Sequence, residues 1–143
     1  MVLLGDLVNS RGMERRDLYK RVLDGVILDI NRRRERDLLA PLKIIRGIDE
    51  VGCVPRETGA ALAVIRDLSA GVLPRRYRFG LARGAIDIDS PAGDVAEMDG
   101  PAFHEAAGAL SRARSNRTFI EIGKNVELTD ELDRIMRLQG SIG

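Results

Sequence analysis

The sequence is poor in the residues that tie small secreted proteins together. Its 143 residues contain one cysteine, Cys53, so no internal disulfide can form and a reducing, cytoplasmic compartment is expected. Tryptophan is absent, and three phenylalanines with two tyrosines leave little on which single-stranded nucleic acid could stack. Neither sign of charge dominates. With 23 basic residues against 22 acidic ones, no global field draws in DNA, RNA or an acidic membrane. No apolar run approaches the roughly 20 residues that cross a bilayer. The opening MVLLGDLVNSR is a short apolar stretch broken by Asp6 with no basic region ahead of it, and it reads as a strand rather than a signal peptide. Internal repeats and low-complexity tracts are lacking as well. One domain over residues 1–143 is therefore expected, large enough to bury a core without disulfides.

What is present is a succession of periods. Val2-Leu3-Leu4 with Leu7-Val8 reads as a strand buried on both faces, where apolar runs need not alternate. After the break at Asn9-Ser10-Arg11-Gly12 a helical period runs over about 13–36. One row is Leu18, Val22 and Val26, and beside it lie Tyr19, Leu23, Ile27 and Ile30. The basic end, Arg32 to Arg36, complements the helix dipole and reads as a solvated terminus rather than a nucleic-acid patch. Pro41 restarts the chain, and 42–48 and 51–54 read as short strands joined at Asp49-Glu50. A second helix covers 57–72, with Ala61, Leu62, Ile65 and Leu68 on its apolar face. Over 76–86 the pattern alternates, Tyr77, Phe79 and Leu81 on one side and Arg78, Gly80, Ala82 and Gly84 on the other. The second set is small enough for another backbone, a helix or a ligand to approach closely. Residues 87–98 read as a loop, and Gly100-Pro101 starts a helix reaching about Arg114. A last strand over 118–122 precedes a terminal helix capped by Thr129.

This order, β-α-β-β-α-β followed by helix, strand and helix, is that of an α+β domain. Its first six elements form a ferredoxin-like split βαβ antiparallel sheet, with an extra C-terminal helix-strand-helix. A right-handed crossover makes strands one and two parallel, with strand three antiparallel between them. The end of strand one then lies beside the turn between strands two and three, which brings Asp6 to Asp49-Glu50. Carboxylates that converge repel one another unless a proton or a cation intervenes. Asp6, Asp49 and Glu50 are accordingly the candidate metal ligands, and such hard oxygen donors suit Mg²⁺ or Mn²⁺. Ions of this kind activate a hydroxyl and steady a leaving pyrophosphate. Ser10, Arg11 and Gly12, just ahead of a helix, are the candidate phosphate contacts. In the plain alternative, Asp6 ends a strand and Asp49-Glu50 fill a polar hairpin.

Four segments resemble the SatD family of uncharacterised microbial proteins. They are Gly5-Asp6-Leu7-Val8-Asn9-Ser10-Arg11, the Asp49-Glu50 hairpin, Arg78-Phe79-Gly80-Leu81-Ala82-Arg83-Gly84, and Asp99-Gly100-Pro101-Ala102-Phe103-His104. That pattern in turn looks like the class III nucleotidyl cyclases and diguanylate cyclases. The second likeness implies a nucleotidyl-cyclase-like fold, with Asp6 and Asp49 as metal ligands and the backbone from Leu7 to Arg11 holding phosphate. It also implies a nucleotide ligand. Longer members of the family continue into a helix-turn-helix segment.

Three positions depart from the cyclase pattern. Ile48 replaces the glycine before the hairpin aspartate, Ile45 stands where a purine-selecting lysine is usual, and Ala107 stands where an arginine is expected. These departures support the alternative function, a non-catalytic regulatory or protein-interaction module on a degenerate cyclase-like fold. His104, the lone histidine, reads as a packed or surface group, and Cys53 as core. A sheet covered by helices on one face leaves the other exposed. The expected covers are a second copy, giving a homodimer, or the last helix.

Overall fold

The computed structural model describes residues 1–90 and 93–142. Part of the 87–98 loop, residues 91 and 92, lies outside them. The protein is a mixed α+β domain with five strands in one sheet and four helices among the described residues. The strands are β1 (Val2–Leu7), β2 (Leu38–Arg46), β3 (Glu50–Pro55), β4 (Tyr77–Ala82) and β5 (Ile120–Ile122), in the spatial order β2-β3-β1-β4-β5. β1 pairs antiparallel with β3 and with β4, β2 antiparallel with β3, and β5 parallel with β4. The helices are α1 (Arg16–Arg34), α2 (Thr58–Gly71), α3 (Pro101–Asn116) and α4 (Asp130–Ile142).

The sheet divides the core in two. On one face Leu3, Val51, Cys53, Phe79 and Leu81 pack with Leu23 and Ile30 of α1, Ile65 and Leu68 of α2, and Leu132 of α4. On the other face Val2, Ala40, Val54 and Ala82 pack with Val95, Ala102 and Ala106. Being central and covered twice, β1 needs no alternation, which is why its sequence reads as an apolar run. The small-residue side of β4 is where α3 lies. A Cβ on Gly80 would stand 2.4 Å from the Ala106 carbonyl oxygen and 2.5 Å from the Leu110 nitrogen, so only glycine lets the helix backbone rest on the strand. Ala102, Ala106, Ala109 and Ala113, all buried, form the facing stripe. The expected cover of that face by the last helix does not occur: α4 lies on the opposite face beside α2, joined to it by Arg66 and Glu131 at 2.5 Å.

Several boundaries move for identifiable reasons. Pro41 does not begin β2 but lies inside it, which is tolerable because β2 is an edge strand and needs ladder donors on one side only. The pairing with β3 shifts register across Pro41. Just beyond, Asn31 of α1 binds both backbone groups of Leu42, donating to its carbonyl and accepting from its N–H at 2.8 Å each. The β2–β3 turn is centred on Gly47 (φ 55°) to Asp49, and Glu50 already belongs to β3. α1 begins three residues later than its period implies, because Met13 is buried as part of the core and Arg15 adopts a left-handed backbone (φ 56°). Of the two apolar rows on α1, Tyr19, Leu23 and Ile30 are buried, whereas Leu18 and Val22 are 42% and 50% exposed. The basic end of α1 is partly consumed in packing: Arg33 and Arg34 reach Asp67 of α2 at 3.4 and 3.1 Å.

Candidate functional site

Asp6 occupies the last turn of the pleat in β1 and is directly opposite Glu50 of β3 on one side and Arg78 of β4 on the other. Val2 and Leu4 pack on the α3 side of the sheet, and the two-residue alternation carries Asp6 to that same side. There Arg114 of α3 meets it, donating from Nε to Asp6 Oδ2 at 2.6 Å, with Nη2 3.9 Å from Glu50 Oε1. Two facing carboxylates repel unless a cation stands between them, and a guanidinium from the protein fills that role. Nothing near Asp6 in the chain announces Arg114, 108 residues away. The available signal was helical spacing: Ala107, the position where an arginine was expected, and Arg114 are two turns apart on one face of α3.

Asp49 faces the other way. Its carbonyl accepts from the Leu7 N–H at 2.7 Å, which ties the hairpin turn to the end of β1. Its side chain approaches α1, where Arg16 Nη2 lies 3.8 Å from Oδ1. That oxygen is buried and has no hydrogen-bond partner, although the side chain as a whole is 38% exposed. Beneath it, Tyr77 donates to the Ile48 carbonyl at 2.8 Å and accepts from the Tyr19 hydroxyl at 3.0 Å. Burial raises the Tyr77 pKa first, and the Tyr19 hydroxyl and the charges of Asp49 and Asp6 raise it further. The phenol therefore stays protonated and keeps the turn clamped. Burial also raises the Tyr19 pKa, against the hydrogen bond to Tyr77.

The acidic segments thus meet at one sheet edge, but the pleat splits their side chains. Asp6 and Glu50 share the α3 side with Arg114, and Asp49 is directed to Arg16. Among the described residues no three histidine, cysteine, aspartate or glutamate side chains are grouped closely enough to hold a metal ion. Arg11 and Gly12 form an exposed turn between β1 and α1, with Gly12 at φ 76° and the half-buried Ser10 just ahead of them. Met13, Glu14 and Arg15 separate them from the first helical residue. The Ser10 carbonyl accepts from Met13 N–H at 3.3 Å and from Arg16 Nη1 at 3.1 Å, so Arg16 connects this loop to Asp49.

The segment Asp99 to His104 closes the long loop onto α3. Asp99 accepts at its carbonyl from Asp87 and Ile88, and Gly100 (φ 143°) allows an approach in which a Cβ would stand 2.5 Å from the Asp87 nitrogen. His104 Nε2 lies 3.4 Å from Asp99 Oδ1, both side chains being mostly exposed. Cys53 is fully buried, and loss of solvent pushes its thiol up to about 12.

An α+β sheet whose acidic edge is bridged by an arginine from a close-packed helix defines the class of this protein. The chain belongs to the SatD family, whose model matches residues 1–136. No curated protein matches the chain. No helix among the described residues is long and apolar enough to cross a membrane.

Proposed function

We propose that the chain binds a nucleotide, a triphosphate being the best candidate, at the edge formed by Asp6, Asp49 and Glu50, together with Mg²⁺ or Mn²⁺. The observation that carries this reading is Asp49 Oδ1, a buried carboxylate oxygen without a hydrogen-bond partner at the end of the central strand. A buried carboxylate oxygen with no hydrogen bond, and only Arg16 at 3.8 Å, is costly, and a cation removes the cost. For Asp6 and Asp49 to hold one ion, Asp49 would turn from Arg16 toward Asp6, and two carboxylates suffice where phosphate and water complete the shell. A bound ion would offset the charge of the phosphates. Arg114 would then leave Asp6 for a phosphate oxygen, a exchange that suits a half-exposed guanidinium. Arg16, already between the Ser10 carbonyl and Asp49, and Arg11 on the exposed turn supply further positive charge. The strand order β2-β3-β1-β4, antiparallel throughout, supports the ferredoxin-like reading, and the acid at the end of β1 beside a hairpin acid supports the cyclase-like one. Likeness of fold does not carry turnover, and the proposal is for binding.

A second reading has its own support. Arg114 already neutralises Asp6 and reaches Glu50, so the edge can be a closed structural ion-pair network on a regulatory or interaction module. Titration calorimetry with a nucleoside triphosphate, with and without Mg²⁺ or Mn²⁺, separates the two. The first reading expects binding that requires the metal and is lost in Asp6→Ala and Asp49→Ala. Equal heats in every sample would end it, and metal-dependent release of pyrophosphate would end the second.

A further inference from the structure

Next to the acidic corner, a pocket of about 490 Å³ opens where β4, β5 and α4 meet. That size lies within the roughly 300–1,000 Å³ of small-molecule sites. Its wall is mainly apolar, built from Phe119, Ile135 and Leu138, and its rim carries Arg76 and Arg117, while Arg78 alternates to the α3 side with Asp6. No carboxylate lines it, and neither Arg76 nor Arg117 has an acidic partner within 4 Å among the described residues.

The polar backbone at the pocket's base is already satisfied. Gln139 of α4 accepts from the Phe119 and Ile120 N–H groups at 3.1 and 3.0 Å and donates to the Ile120 carbonyl at 2.8 Å, acting as a substitute strand on the open edge of β5. What the cavity offers a ligand is therefore an apolar wall and two uncommitted guanidinium groups, those of Arg76 and Arg117. Leu138, 53% exposed, stands at the wall as a large apolar side chain without cover.

We propose that this pocket binds a small amphipathic anion, a molecule with an apolar or planar body and a phosphate or carboxylate head. The body lies against Phe119, Ile135 and Leu138. The head meets Arg76 and Arg117, whose planar forks match either oxyanion. The proposal does not depend on the acidic edge or on a metal ion.

The test is titration calorimetry with 1-naphthyl phosphate, 1-naphthoate and neutral 1-naphthol, with excess chelator present throughout so that cation-dependent binding elsewhere cannot supply the signal. The two anions are expected to bind about tenfold tighter than the naphthol, a difference of about 1.4 kcal/mol. The double variant Arg76→Ala/Arg117→Ala, both exposed residues, should remove that advantage while leaving naphthol binding and the circular dichroism spectrum unchanged. Leu138→Glu should weaken all three ligands. A tighter phosphate assigns a phosphate head and a tighter naphthoate a carboxylate head, each supporting the proposal. Equal affinity for anions and naphthol, no binding of any probe, or anion binding that survives loss of both arginines would overturn it.

Discussion

The two faces of the sheet are built on different terms. Toward α1, α2 and α4 the strands present Tyr77, Phe79, Leu3 and Leu81, and large side chains keep the helices at an ordinary distance. Toward α3 they present Gly80 and Ala82, and the helix backbone comes down onto the strand itself. The first face holds the domain together by area removed from water. The second buries less but sets a distance, and that distance delivers Arg114 to Asp6. A face packed by side chains can adjust rotamers when one atom is added. A face packed by backbone cannot, so the smaller contact is the more exacting.

Phe79→Ala should give the largest loss of stability in the contrast, about 3–5 kcal/mol in denaturant unfolding, because it empties a fully buried site beside Tyr77 and Phe119. Next comes Gly80→Ala, where one added methyl meets the Ala106 carbonyl at 2.4 Å. Overpacking of this kind should cost about 1–3 kcal/mol. A neutral Gly80→Ala would show that α3 can retreat and would break the comparison.

On the first face, Cys53 links stability to pH. Its thiol titrates near 12 in the folded chain, against about 9 in the unfolded one. The folded value is the higher, so this contribution is complete below about pH 9. It is lost as pH rises toward 12, at roughly 1.4 kcal/mol per pH unit. Subtracting the unfolding free energies of Cys53→Ala from those of the parent over pH 8–11 isolates the slope, and identical slopes would contradict the assignment. The smallest effect is a gain. Gly25 of α1 has open space around its Cβ position, and Gly25→Ala should stabilise the protein by about 0.5–1 kcal/mol, measured as a raised midpoint in urea. The same substitution with opposite signs at Gly25 and Gly80 would confirm that close approach, not glycine as such, distinguishes the α3 face.

Much of this architecture can be read along the chain, and the places where reading fails are specific. The alternation from Tyr77 to Ala82 separated the two faces of β4 correctly, and its small residues announced a close neighbour without saying which element it was. Pro41 looked like a boundary because a proline inside a strand is tolerated only at an edge, and edge position belongs to the sheet rather than to the strand. Leu18 and Val22 matched the helical period as well as Tyr19 and Leu23 did, since period identifies stripes and packing chooses among them. At the site, the meeting of the Asp6 and Asp49-Glu50 segments followed from crossover handedness. Which side each carboxylate takes did not follow, because the turn begins at Gly47 and a shift of one residue in a pleat reverses the face.

Local pattern was sufficient to specify the element types, the burial of β1, the helix start at Gly100, and the need for a slender neighbour at Gly80, because these depend on residues within a few positions of one another. Which helix lies on Gly80, the crossing of Arg114 to an acid 108 residues away, the opposed directions of Asp6 and Asp49, and the arginine-rimmed pocket between β4, β5 and α4 were decided only when the sheet closed. Each depends on a separation through space, and sequence spacing carries no information about distance between segments until packing supplies it.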